Sequence, residues 1–175
     1  MATIDQFIDV DVDVRQVYNQ WTQFEQFPEF MEGVEEVRQI DPTHLHWVAS
    51  IGGKRHEWDA VIFDQIPDQR IAWRAVSGKQ NEGLVRFEKI GENQTRVHVQ
   101  IMFEPEGVTE KMGDSLGLAA ARVKGDLERF KNFIESRGAA TGAWRGEVHG
   151  QTVSGENETT ARSKRIHTAG TKPTT

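Results

Sequence analysis

The sequence predicts an α+β domain in which a curved antiparallel sheet of seven strands wraps one long carboxy-terminal helix, with two short helices after the first strand. Three observations predict it. Apolar and polar residues alternate in short runs from residue 3 to about 104, separated by turn signals. Beyond Pro105-Glu106-Gly107 the apolar spacing changes to three and four, at Leu116, Ala120, Val123, Leu127, Phe130 and Ile134. No strand-helix-strand unit repeats, which excludes a doubly wound parallel sheet.

Taken in order, Ile4, Gln6, Ile8, Val10 and Val12 alternate and predict a first strand over 3–12. Asp13 can then cap a helix with Val14, Val17, Tyr18 and Trp21 on one side. A second short helical piece, 24–31, is split by Pro28 and closed by Gly33. Strands follow at 34–41, 44–51, 54–66, 69–77, 82–90 and 94–104, bounded by Asp41-Pro42, Gly52-Gly53, Pro67-Asp68, Ser77-Gly78 and Gly91-Glu92-Asn93. The long helix runs to about Arg137. After Gly138 the chain turns to Gly, Thr, Ala, Ser and Glu without a period, so 138–175 reads as a mostly disordered tail outside a 1–137 domain. The exception is 142–146, Gly-Ala-Trp-Arg-Gly, where a tryptophan in polar company suggests docking.

The 175 residues include no cysteine, which excludes disulfides, thiolate metal sites and a cysteine nucleophile. The net charge is −6, and residues 1–137 hold 16 basic against 24 acidic side chains. That disfavours nucleic acid, which needs cationic surface, and a polybasic membrane contact. The acidic, alternating amino terminus is unlike a signal peptide, and no stretch reaches the roughly 18 apolar residues of a membrane span, so a cytoplasmic protein without stable membrane insertion is expected.

Alternation assigns Trp47, Ala49, Ile51, Trp58, Ala60, Ile62, Ile71, Trp73, Val85, Phe87, Val97, Val99, Ile101 and Phe103 to the inner face. Glu57, Asp59, Arg74, Arg86, Glu88, Arg96, His98 and Gln100 fall on the outer one. Three tryptophans on one concave face either fill the core or line a cavity. The first half of the long helix is thin, with Gly113, Ser115, Gly117, Ala119, Ala120 and Ala121, which permits either close packing or unfilled volume. The cavity reading places a pocket between 113–123 and the tryptophan-bearing strands, rimmed by 24–31. Its candidate ligand-binding residues are Trp47, Trp58, Trp73, Phe87, Ile101, Phe103, Gly117 and Ala120.

Several strings resemble the helix-grip (START/Bet v 1-like, SRPBCC) superfamily: 17–21 Val-Tyr-Asn-Gln-Trp, 27–31 Phe-Pro-Glu-Phe-Met, 57–60 Glu-Trp-Asp-Ala, 71–74 Ile-Ala-Trp-Arg, 83–87 Gly-Leu-Val-Arg-Phe and 126–131 Asp-Leu-Glu-Arg-Phe-Lys. The similarity is greatest to its bacterial polyketide cyclase/dehydrase branch, which includes coenzyme Q-binding proteins, and extends to the Gly-Ala-Trp-Arg-Gly extension at 142–146. The family often has Pro after its first strand, where this chain has Val12 or Asp13. The resemblance implies the fold, and a hydrophobic small-molecule ligand such as a lipid, quinone or polyketide-like ring system, transported, bound or cyclised.

Other motifs weigh less. Gly113-Asp114-Ser115-Leu116-Gly117 matches a nucleophile elbow, but that elbow needs a strand leading into the serine and a parallel sheet behind it. His44, His46 and His56 fall on the solvent face and suggest no metal site. Glu25, Glu29, Glu32, Glu35 and Glu36 read as a solvated acidic rim. Acid-base chemistry would draw on Arg74, Tyr18, Ser115 or Arg122, with Arg74 expected to pair with Asp59 or Glu57 instead. No cofactor is expected. The readings are therefore a carrier of a hydrophobic small molecule, a cyclase/dehydrase-type enzyme, or a module with an incidental pocket that binds a protein partner, for which the tail and the acidic rim speak.

Overall fold

The structure is a computed structural model that describes residues 1–105 and 112–155. The chain opens with β1 (Ala2–Val10), whose alternation stops where Asp11 and Asp13 turn it into α1 (Val14–Trp21). Asp13 is extended and its carboxylate accepts the Gln16 N–H at 3.3 Å, the expected cap. A 3-10 helix, Phe24–Glu29, contains Pro28, which has no N–H to offer a longer α-helix. Strands β2 (Val34–Gln39), β3 (His44–Ile51), β4 (Lys54–Ile66), β5 (Arg70–Gly78), β6 (Asn81–Gly91) and β7 (Gln94–Phe103) follow, each within a residue or two of its expected span. The long helix, α2 (Met112–Arg137), ends at Gly138, whose φ of 72° suits a residue without Cβ and whose N–H reaches the Ile134 carbonyl at 3.0 Å.

The sheet is antiparallel in the order β1-β7-β6-β5-β4-β3-β2. Of these seven strands only β1 is paired out of sequence order, with Ile4 opposite Ile101. Helix α2 lies along β1, tied by Lys131 Nζ donating to the Asp9 carbonyl at 2.9 Å and by the Asp11 N–H on Glu135 at 2.8 Å. Leu127, Phe130 and Ile134 enter a core with Val10, Val17, Tyr18, Trp21, Val85, Val97 and Val99.

Among the described residues the sheet has nine strands, not the expected seven. Strand β4 outruns β3, pairing with it only through Val61, opposite His44. The lane beyond is filled by β8 (Glu147–His149), with Asp64 opposite His149 and Gln65 opposite Val148, and β8 in turn pairs with β9 (Thr152–Ser154). Three-residue strands carry too little alternation to read, and β8 is recruited by an open edge that only the folded sheet creates.

The segment before β8 is a strap across α1. Thr141 N–H donates to Gln20 Oε1 at 2.9 Å, Trp144 N–H to Thr22 Oγ1 at 3.1 Å, and Arg145 to Asn19 Oδ1 at 2.6 Å and Asp68 Oδ2 at 2.7 Å. Val148 is fully buried. Residues 138–155, expected to lack regular structure outside 142–146, are thus part of the packed domain; 156–175 lie outside the described residues.

Candidate functional site

On the inner face of β3 and β4, Trp47 sits opposite Trp58 and their rings stack, with centroids 5.6 Å apart and planes 7° from parallel. Phe27 of the 3-10 helix leans on Trp47 at 5.7 Å. The next row runs Ile62, Trp73, Gly83, Ile101 across β4, β5, β6 and β7. Trp73 covers Gly83: a methyl there would strike the indole and stand 2.8 Å from the Gln100 carbonyl. The Trp73 N–H donates to Asn81 Oδ1 at 3.1 Å, and Phe103 is opposite Asn81. The Trp47 N–H is buried and has no hydrogen-bond partner among the described residues.

Exposure grades along this face. In α2, Leu127, Phe130 and Ile134 are buried, at 2%, 0% and 0%. One to three turns earlier on the same stripe, Leu116, Ala120 and Val123 are only half-buried, and Leu118 beside them is 75% exposed. The sheet matches this: Val85, Val97 and Val99 are buried, whereas Trp47, Trp58, Trp73, Ile101 and Phe103 are half-buried. Apolar faces of helix and sheet therefore remain partly accessible at the end of the domain where the helix is thinnest. Gly117 is exposed, and a Cβ there would meet nothing within 4 Å, so close packing does not require it.

Phe87 stands apart from the other candidates. It is 6% exposed and packs edge-on against Tyr18 at 5.2 Å and Trp21 at 6.1 Å, inside the core. The 24–31 segment is more than a rim: Phe24, Phe27 and Phe30 are buried and form an aromatic ladder that ends on Phe130 and Phe133. Ile51, assigned inward, is 43% exposed at the end of its hairpin.

The polar candidates are engaged elsewhere. Arg74 lies over the outer-face Phe63 ring at 5.4 Å instead of pairing with Asp59, whose carboxylate is taken by His46 at 2.7 Å and Ser77 at 2.7 Å. These hydrogen bonds, His46 first, hold Asp59 below the ordinary carboxylate range. Tyr18 is buried under the strap, beneath the Arg145 guanidinium at 5.5 Å, and accepts from Gln65 Nε2 at 3.0 Å. Burial pushes its phenol up to about 12, against the lowering effect of the Gln65 hydrogen bond. Arg122 donates to the Glu32 carbonyl at 3.0 Å.

Gly113–Gly117 falls within α2, whereas an elbow sets its serine at the turn from a strand into a helix, and the Ser115 side chain lies outside the described residues. His44 bonds to Asp41 and His46 to Asp59; among the described residues no three histidine or carboxylate side chains converge as a ligand set. The five glutamates of the acidic rim are exposed.

Sequence reasoning missed Asn81, the partner of Trp73, because its register became visible only through the β6–β7 pairing. It also missed the anchoring of the 30–32 loop to α2. There Asp126 accepts the Glu32 N–H at 2.9 Å and Arg129 donates to the Phe30 carbonyl at 3.0 Å. Burial raises the Asp126 carboxyl, opposed by the Arg129 and Glu32 hydrogen bonds.

Comparison with known proteins places these features in a family. The family described as polyketide cyclase/dehydrase and lipid transport matches residues 10–132. The chain is 50% identical over 149 residues to a 17.2 kDa protein from the melC2-rnhH intergenic region of Streptomyces lincolnensis, covering 85% of this chain and 99% of that one. Among solved structures, TTHA0849 of Thermus thermophilus shares the fold with a TM-score of 0.69 at 18% identity, over 79% of this chain and 100% of that chain. A START superfamily protein of Mycobacterium smegmatis matches with a TM-score of 0.66 at 11% identity, over 77% and 98%. The ZhuI aromatase/cyclase of Streptomyces sp. R1128 matches with a TM-score of 0.64 at 12% identity, over 82% and 99%. Among the described residues, no helix is long and apolar enough to cross a membrane. The chain, with its antiparallel sheet gripping one long helix, belongs to the polyketide cyclase/dehydrase and lipid-transport family.

Proposed function

We propose that this protein binds and carries a small hydrophobic molecule, a lipid, quinone or polyketide-like ring system, between the first half of α2 and the tryptophan-bearing strands. The observation that carries the reading is the exposure gradient. The same apolar stripes that are closed at Leu127–Ile134 and Val85–Val99 are half-open at Leu116–Val123 and at Trp47, Trp58, Trp73, Ile101 and Phe103. A ligand covering them would gain about 25 cal/mol for each Å² of apolar surface removed from water.

The carrier role is favoured over acid-base catalysis because Arg74 and Tyr18 are committed to partners away from that face and Arg122 is held by the Glu32 carbonyl. It is favoured over a tail-borne partner module because 140–148 are engaged by α1 and β4 of their own domain. Native mass spectrometry of the purified full chain, followed by organic extraction, tests it. A stoichiometric apolar molecule that quenches tryptophan fluorescence on rebinding is the expected result. An empty protein whose fluorescence does not respond to such molecules would overturn it.

A further inference from the structure

On the outer face of the sheet the register sets three basic side chains in one row. Arg70 of β5 is opposite Arg86 of β6, and Arg86 is opposite His98 of β7. Like charges directly across a strand pair repel, and other arginines of these strands avoid it: Arg74 is opposite Glu82, and Arg96 lies between Glu88 and Asp9. The row continues to Ile66 on β4 and Phe7 on β1, so no acid closes it in register.

Carboxylates from the next row relieve only its two flanks. Arg70 Nε donates to Asp64 Oδ2 at 2.6 Å, and His98 Nε2 meets Asp5 Oδ1 at 2.5 Å. Both Nη groups of Arg70 remain without a partner among the described residues. Arg86, between the flanks, is exposed and makes no hydrogen bond or ion pair among the described residues; it acts on Asp5 only through space. These side chains border a hollow of about 380 Å³ lined by Gln69, Arg70, Arg86, Phe87, Glu88 and His98. Glu88, the one carboxylate in that lining, is opposite Arg96.

We propose that this hollow is a binding site for a phosphate group, separate from the apolar face and independent of the carrier reading. Neighbouring strands are about 4.8 Å apart, so long side chains from two adjacent strands can reach one anion. Guanidinium groups donate in a fixed fork that matches phosphate oxygens, and an oxyanion between Arg70 and Arg86 replaces their mutual repulsion with two attractions. A flat anionic bilayer fits this face poorly, because Asp5, Glu82 and Glu88 stand on it and would be pressed against the lipid charge. The source assigned is therefore a soluble phosphate or phosphate monoester.

The test uses the full chain with inorganic phosphate as the probe, added at constant pH and at constant ionic strength against chloride, so that screening does not change. In nuclear magnetic resonance spectra the His98 ring signals, assigned by their loss in His98→Gln, are expected to shift saturably in the millimolar range, with sulfate competing. Arg86→Gln removes the charge at an exposed position and should weaken binding at least about fivefold, the effect of a charge-assisted hydrogen bond discounted for solvent. Arg74→Gln, over Phe63 and opposite Glu82, should bind within about twofold of wild type. A His98 signal that does not respond, a response that never saturates, or an Arg86→Gln variant that binds like wild type would overturn the proposal. Sedimentation with vesicles of phosphatidic acid in phosphatidylcholine separates the two sources of phosphate. The protein is expected to stay in the supernatant; retention of wild type that Arg86→Gln abolishes would overturn the soluble source in favour of a lipid headgroup.

Discussion

Replacing Arg145 by methionine keeps the aliphatic stem and removes the guanidinium that joins the strap to the domain. Arg145 reaches Asn19 at 2.6 Å, Asp68 at 2.7 Å and the Tyr18 ring at 5.5 Å, and the side chains of the Arg145–Asp68 pair are 18% and 32% exposed. An exposed ion pair contributes at most about 1 kcal/mol, whereas orphaning one partner of a fully buried pair costs roughly 3–5. This pair lies between those limits. Asp68 Oδ1 has no hydrogen-bond partner among the described residues, so the substitution would leave the carboxylate without its cation. We therefore expect Arg145→Met to cost about 2–3 kcal/mol, which for a domain of this size lowers Tm by roughly 5–10 °C. Urea unfolding followed by circular dichroism should show a lower midpoint with an unchanged slope. Adding Asp68→Asn should recover part of the loss, since it removes the stranded charge and asparagine tolerates the φ of 63° at this turn. A single variant within about 0.5 kcal/mol of wild type, or a double variant with no recovery, would refute the view that this bridge anchors the strap.

Other perturbations probe other parts of the fold. Gly83→Val should drive the Trp73 indole off the sheet, costing about 1–3 kcal/mol and altering tryptophan emission; an unchanged emission spectrum would mean that the cradle does not position Trp73. Phe130→Ala, which removes a fully buried ring 5.0 Å from Trp21 and 5.2 Å from Phe30, should cost roughly 3–5 kcal/mol in chemical denaturation, while Leu118→Ala should stay within about 0.5. Asp59 is held below its ordinary value of 3.8 by His46 and then Ser77, so its contribution is present above that value and is lost as pH falls through its lower folded-state pKa. Asp59→Asn should therefore flatten the acid limb of the stability curve below about pH 4, and an identical limb in the variant would exclude that role.

The strands and α2 were legible because each carries enough alternation, or enough three-and-four spacing, to outweigh local noise. Residues 44–51 and 54–66 are strands over their whole expected spans because Gly52-Gly53 makes the turn between them. The inner face followed from the same period, which placed Trp47 and Trp58 together. What period cannot convey is partnership between distant residues. Arg74 was expected on a carboxylate of β4 and instead lies over Phe63, because Asp59 is better met by His46 across the strand pair. Phe87 has the correct face but sits at the end of the sheet that α1 closes, and only the packing of Tyr18 and Trp21 tells that end from the open one. The strap and the strand after it were hidden for a related reason: the one fully buried side chain of β8, Val148, leaves no pattern in a three-residue strand.

That strap also sets an order of events. Strand β1 finds its partner only when β7 exists, since Ile4 pairs with Ile101. The open lane on β4 waits longer still, until His149 has been made and can reach Asp64. A chain emerging from the ribosome can zip its hairpins from β2 to β7 as they appear, yet must hold the flank of β4 unsealed until nearly the whole domain is synthesised. Closures over such separations slow folding toward the millisecond-to-second range typical of non-local β topologies. The exposed β4 flank makes a nascent or stalled chain the form of this protein most prone to pair with another copy of itself.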